Sequence, residues 1–216
     1  MKKLSFLVAV LCLAAALFCG CARGVDYSAF ISEKRTDIFI YKDDDKEIKI
    51  YCSEREQPYA ADGIMGDICP IVEIFVTLPK NPQELEVSVE SVEGEMNYRS
   101  VENCFYLSFT AAAFGKASVD VTLTYDGKSE TFSALSVRYA GVMSCEQAVL
   151  CAAEHDKELF ESLMKKGAFD GEIYVRLLYD EGCYYYVGVC DKSKKITAYL
   201  VDGEKGKVIA KKQLEG

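Results

Sequence analysis

The spacing of apolar residues constrains this chain most: from residue 37 to residue 138 they recur at every second position in short runs, and at Ser144 that period gives way to a helical one. A period of two fits a strand with one buried face. Asp37-Ile-Phe-Ile-Tyr41 and Glu47-Ile-Lys-Ile-Tyr-Cys52 flank the acidic stretch Asp43-Asp44-Asp45, and Ile48, Ile50 and Cys52 alternate against Glu47, Lys49 and Tyr51. This predicts a hairpin. Further runs fall at 71–78, 84–90, 95–99, 104–109, 117–125 and 129–138, the last two joined by Asp126-Gly127, a strong two-residue hairpin signal. Eight short strands with no helical period among them predict a mainly β chain. Residues 37–140 are expected to form an antiparallel β-sandwich of immunoglobulin-like kind. The segment 53–70, with Asp62-Gly63 and Gly66-Asp67, reads as a crossover loop between sheets. Asp43-Asp44-Asp45 reads as a solvated hairpin tip, because the ligand spacing of a calcium loop and its distant Glu are both missing.

From Ser144 the pattern changes. Ser144-Cys-Glu-Gln147 has the form of a capping box, and Ala148, Cys151 or Ala152, His155, Leu159, Leu163 and Met164 fall near one helical stripe that Lys165-Lys166-Gly167 closes. One helix of about 22 residues is expected, followed by three or four antiparallel strands: 172–179, 183–190, 195–202 and 207–210. Charge steps at the same place. Residues 22–143 carry 21 acids against 12 bases, while 144–216 carry 13 against 11. A small α+β unit is therefore predicted over 144–216, behind the sandwich.

The first residues form a leader. Lys2 and Lys3 precede an uncharged run from Leu4 to Phe18, too short for a comfortable membrane span and arranged as a secretory signal. The run ends in Leu17-Phe18-Cys19-Gly20-Cys21, which resembles the lipobox of bacterial lipoproteins. The resemblance implies removal of residues 1–20, lipidation of Cys21, and a body held outside the cytoplasm at the cell membrane by two or three acyl chains. Ordinary secretion, with cleavage after Ala22, is the alternative. Residues 21–36 are expected to be a polar stalk.

Composition excludes other classes. With 34 acidic against 25 basic residues the chain is a poor nucleic-acid binder, and 50% hydrophobic residues exclude disorder. Of ten cysteines, Cys12 and Cys19 lie in the leader and Cys21 is the lipid site. Seven remain, an odd number that cannot pair fully within one chain. None of the seven has the close spacing of a zinc site, so no metal or other cofactor is expected. Cys151 and His155, the only His, lie four residues apart on one helical face. They read as a buried thiol beside a surface imidazole, with no third group to orient them as a catalytic pair.

The last stretch, Tyr199-Leu-Val-Asp202-Gly-Glu-Lys-Gly206-Lys-Val-Ile209, following a helix and a Tyr-Tyr-Val strand, resembles the closing pattern of PepSY domains. That resemblance covers about a third of the chain. It implies one helix on an antiparallel sheet and a role in contacting or restraining a peptidase, while no HExxH is present to make this chain a metalloprotease itself. Asp202 and Gly206 read as a turn that sets the register of two strands. If one sheet face packs on the helix, alternation places Ile173, Val175, Leu177, Tyr185, Val187, Val189, Ile196, Ala198 and Leu200 inside. Tyr174, Arg176, Tyr184, Tyr186 and Tyr199 then share the outer face. Tyr and Arg dominate binding hot spots, so these five are the candidate partner-binding residues.

The sequence thus predicts a lipid-anchored extracytoplasmic binding or regulatory module that is not an enzyme, joined to the membrane through its lipid and contacting an envelope or secreted protein. The alternative is an envelope enzyme using Cys151 and His155 or acids of the 53–70 loop.

Overall fold

The computed structural model describes residues 25–57 and 66–214; the expected leader, Cys21 and the Asp62-Gly63 pair lie outside the described residues. The chain is mainly β. Its elements are β1 (Ile31–Lys42), β2 (Glu47–Gln57), β3 (Asp67–Thr77), β4 (Glu86–Val89), β5 (Val92–Glu95), β6 (Asn97–Arg99), β7 (Cys104–Phe109), β8 (Ser118–Tyr125), β9 (Lys128–Ser136), α1 (Cys145–His155), α2 (Lys157–Leu163), β10 (Met164–Lys165), β11 (Ala168–Phe169), β12 (Gly171–Tyr179), β13 (Cys183–Asp191), β14 (Ile196–Asp202) and β15 (Val208–Leu214). β10 and β11 form a small hairpin of their own. The rest belong to one branched sheet ordered β15-β14-β13-β12-β1-β2-β3-β7-β6, with β9, β8, β4 and β5 leading away from β1.

The local signals of the first half are realised. The β1–β2 hairpin pairs Tyr41 with Ile48 and Phe39 with Ile50, and Ile48, Ile50 and Cys52 are fully buried. Asp43 closes its tip by accepting from the Asp45 and Lys46 amides (2.9 and 2.7 Å) and from the Tyr41 hydroxyl (2.7 Å). Asp126 and Gly127 take positive φ (51° and 71°), as a two-residue turn between β8 and β9 demands. Inward residues of β1–β3, among them Phe39, Ile50 and Ile74, share one core with those of β4, β8 and β9, such as Val87, Val121 and Ala134.

The segment 53–70 is shorter as a loop than alternation suggested. β2 continues through Gln57 and β3 begins at Asp67, with Ser53 opposite Ile71 and Gln57 opposite Asp67. Charged residues hide these strand ends in the sequence, but those of β2 find partners. Glu54 pairs with Lys34 (3.0 Å) and Glu56, 2% exposed, accepts from the Gly66 amide. Pro70, which has no N–H to give, lies before β3 meets β7 at Val72, so its second edge needs no donor.

The polar stalk expected at 21–36 is corrected from residue 27 onward. Tyr27–Phe30 is a 3-10 turn capped by Asp26, and Ile31 begins β1. The first half of β1 lies parallel to β12, with Ile31 opposite Ile173 and Arg35 opposite Arg176. Beyond a bulge between Arg35 and Asp37, Phe39 and Ile40 pair with β9. One strand therefore serves both halves. Tyr27, Ile31, Ile38 and Val137 are buried in the same core as the helices and β12–β14, so the helix-covered layer is completed by residues from outside 144–216. Tyr27 lies edge-on to Phe160 and Phe169, with ring centroids 5.0 and 6.0 Å away. Full burial of one such side chain contributes roughly 1.5–3 kcal/mol, which outweighs the polar residues around it.

The expected capping box is present: Ser144 Oγ accepts from the Gln147 amide (3.2 Å) and Gln147 Oε1 from the Ser144 amide (2.8 Å). The single helix of about 22 residues is not. It breaks at Asp156 (φ -134°, ψ 58°), and α2 ends at Leu163. The break turns the Asp156 carboxylate onto the sheet, where it accepts from the Tyr199 hydroxyl (2.7 Å) and from Lys211 Nζ. At the chain's last hairpin, Asp202 Oδ1 accepts from the Glu204 and Lys205 amides (3.0 and 2.8 Å) and Gly206 has φ 67°, as its sequence predicts.

Candidate partner-binding face

Alternation on β12 and β13 places the side chains as expected. Ile173, Val175, Leu177, Tyr185, Val187 and Val189 are buried against the helices, and Tyr174, Arg176, Tyr184 and Tyr186 are half-buried on the other face. β14 is reversed. Val187 faces Tyr199 and Tyr186 faces Leu200 across the ladder, and opposite residues of an antiparallel pair point to the same side. Tyr199 (1% exposed), Thr197 and Val201 therefore point to the core, while Ile196, Ala198 and Leu200 take the face expected for Tyr199. Both faces of β14 are apolar enough that alternation alone did not decide between them; the ladder to β13, closed by the Asp191–Lys195 turn, carries the register. Tyr199 is thus removed from the candidate face. It is a structural residue, its ring against Phe160 and its hydroxyl on Asp156.

The remaining face gains two residues that the sequence had assigned elsewhere, Glu33 to the stalk and Arg55 to the crossover loop. Parallel pairing sets Glu33 beside Tyr174, and antiparallel pairing sets it beside Arg55. Arg176 donates from Nε to Glu33 Oε1 (2.6 Å) and from Nη2 to Oε2 (3.2 Å), the two-pronged geometry of a strong charge-assisted pair. Arg55 Nε stands 3.4 Å from the same Oε2. Burial pushes the Glu33 carboxyl up, but Arg176, Arg55 and Arg35 outweigh it and hold it below the usual range. No local signal in the sequence marks Glu33 or Arg55, because Glu33 meets Arg55 across a strand pair and Arg176 from 143 residues away.

Around this group lies an open cleft of about 510 Å³ lined by Glu33, Arg55, Tyr174, Arg176, Tyr186 and Ile196. Tyr186 lies over Gly188: a Cβ there would come within 2.9 Å of its ring edge and of its hydroxyl. From Arg35 a row of ring contacts crosses the sheet. Arg35 sits 4.0 Å over Tyr51; Tyr51 meets Phe75 at 5.3 Å, Phe75 meets Tyr106 at 5.0 Å, and Arg99 covers Tyr106 at 3.3 Å. The face is thus both a cross-strand ladder and a surface.

Cys151 and His155 do not form a comparable site. Cys151 lines a separate depression with Met143, Leu150, Glu154 and Gly206, and His155 is not among its lining residues. His155 meets Tyr199 edge-on at 6.3 Å. Burial and Glu154 both push the Cys151 thiol up, away from the reactive thiolate. The seven cysteines from Cys52 to Cys190 are free thiols, and burial raises Cys52 and Cys145 to about 12. Among the described residues no group of three or more His, Cys, Asp or Glu could hold a metal ion, and no helix is long and apolar enough to cross a membrane. No family model, no curated protein and no solved structure matches the chain.

Proposed function

We propose that the chain is a lipid-anchored extracytoplasmic binding module, tethered through Cys21, whose Tyr174, Arg176 and Tyr186 face contacts an envelope or secreted protein, a peptidase being the class that the PepSY-like ending suggests. The carrying observation is the half-exposed cluster of Tyr and Arg side chains on the inner strands β12 and β13, on the side away from the helices, held in place by Glu33. Central strands are rigid supports, and large side chains with few rotamers lose little entropy on binding. In this reading the β4, β8 and β9 layer and the sheet beneath it form an immunoglobulin-like spacer, and the helix-covered end is the PepSY-like recognition unit.

The test has two parts. In a lipoprotein-competent bacterium the protein should incorporate a palmitate analogue, and a Cys21→Ser variant should not. Capture from envelope extract should fall sharply for Tyr186→Ala at an unchanged melting temperature. Labelling that survives Cys21→Ser removes the anchor, and equal capture by Tyr186→Ala removes the face.

A further inference from the structure

We propose that the cleft between Arg55 and Arg176 is a carboxylate-binding site, which takes an acidic side chain or the terminal carboxylate of an extended peptide segment; the inference rests on the reading of this face as the partner surface. Two guanidinium groups, those of Arg55 and Arg176, share the single carboxylate of Glu33, and the charge of Arg35 adds to the positive field on it. Each guanidinium has five N–H donors, so roughly ten donors on these two side chains meet about four acceptor positions. The Nε atoms of Arg35 and Arg55 are shielded from water without a hydrogen bond, and Arg35 Nη1 reaches only the Leu177 carbonyl at 3.5 Å.

Exposure sets the polarity of the cleft. The Glu33 side chain is 12% exposed, whereas those of Arg55 and Arg176 are 40% and 42% exposed. An approaching group therefore meets cations above a recessed anion, on a chain whose formal charge is -9. Two other carboxylates of this face are engaged: Glu73 accepts from the Tyr106 hydroxyl (2.9 Å) and Glu172 from the Tyr174 hydroxyl (2.8 Å). Arg176 is already pinned by two hydrogen bonds to Glu33, so ordering it costs little when a ligand arrives.

The chemistry selects among ligands. A phosphate group, with a charge of about -1.5 to -2, would scale its attraction to Arg55 and Arg176 and its repulsion from Glu33 alike, so the apolar lining separates it from a peptide carboxylate. Tyr186 and Ile196 supply an apolar wall, which suits an apolar residue next to the acid.

The experiment is calorimetric titration of the purified protein with one apolar pentapeptide in three forms: free C-terminal carboxylate, amidated with one internal Glu, and amidated without acid. Inorganic phosphate is the fourth probe. One or both acidic forms should bind, more weakly as salt rises, and the neutral form should not; which acidic form binds separates a terminal from a side-chain carboxylate. Arg55→Gln should weaken binding about tenfold or more with unchanged melting, and Arg176→Lys, which keeps the charge and loses the fork on Glu33, should weaken it as much while lowering the melting temperature modestly. Equal binding of all three peptides, binding of none, or phosphate binding tighter than any peptide overturns the site. Envelope capture that depends on Tyr186 but not on Arg55 overturns this inference alone, whereas capture indifferent to Tyr186 overturns the reading beneath it.

Discussion

Tyr199 offers the sharpest check on the arrangement of the C-terminal half, because its ring and its hydroxyl make separable contributions. The side chain is 1% exposed, packs on Phe160 at 6.3 Å, and donates to Asp156 Oδ2 at 2.7 Å. Tyr199→Phe removes only the hydroxyl. A hydrogen bond to a charged group contributes about 1.5–3 kcal/mol, and because Asp156 retains Lys211 the loss should fall near or just below the lower end, about 1–1.5 kcal/mol. For a chain of this size that lowers Tm by roughly 3–5 °C. Tyr199→Ala removes the ring as well and should cost about 3–5 kcal/mol. Tyr186→Ala, on the half-exposed face, should stay within about 1 kcal/mol. The pH dependence follows from Asp156. Burial raises its carboxyl, but Lys211 and Tyr199 outweigh this and hold it below the usual 3.8. A depressed carboxylate stabilises the fold above its unfolded value and loses that contribution as pH falls through its folded one. The gap between wild type and Tyr199→Phe should therefore be constant at neutral pH and close only below pH 3.8. Denaturant melts of the three variants across pH test this. If Tyr199→Ala is as mild as Tyr186→Ala, the register of β14 is wrong by one residue; a gap that does not change at low pH would mean that Asp156 is not the acceptor.

Three further outcomes can be measured. Gly188→Ala should push the Tyr186 ring aside, since a Cβ would stand 2.9 Å from it, and should reduce partner capture with little change in Tm; unchanged capture would show that the ring's position is not used. Ser144→Ala removes an acceptor of the α1 capping box and should cost about 1 kcal/mol in denaturant melts, against a negligible change if the helix start is held by packing alone. A 144–216 fragment lacks Tyr27, Ile31, Ile38 and Val137 and leaves the β12 edge open, so its amide NMR spectrum should be poorly dispersed while that of 25–216 is well dispersed; a dispersed short fragment would show that β1 is dispensable to that core.

What the sequence determined was local. The β1–β2 hairpin, the Asp126-Gly127 turn, the Ser144 capping box, the Asp202 turn and the two faces of β12 and β13 all follow from residues within a few positions of one another, where backbone preference and alternation act directly. Only the tertiary structure decided that β1 lies parallel to β12, that the helix breaks at Asp156, that Tyr199 points inward and that Glu33 joins Arg55 to Arg176. Each of these depends on a partner far along the chain. Asp156 is 43 residues from Tyr199 and Glu33 is 143 from Arg176. A polar residue such as Glu33 looks like a solvated stalk until the fold brings it a cation. A strand such as β14, apolar on both sides, has no inside until a neighbour's register assigns one.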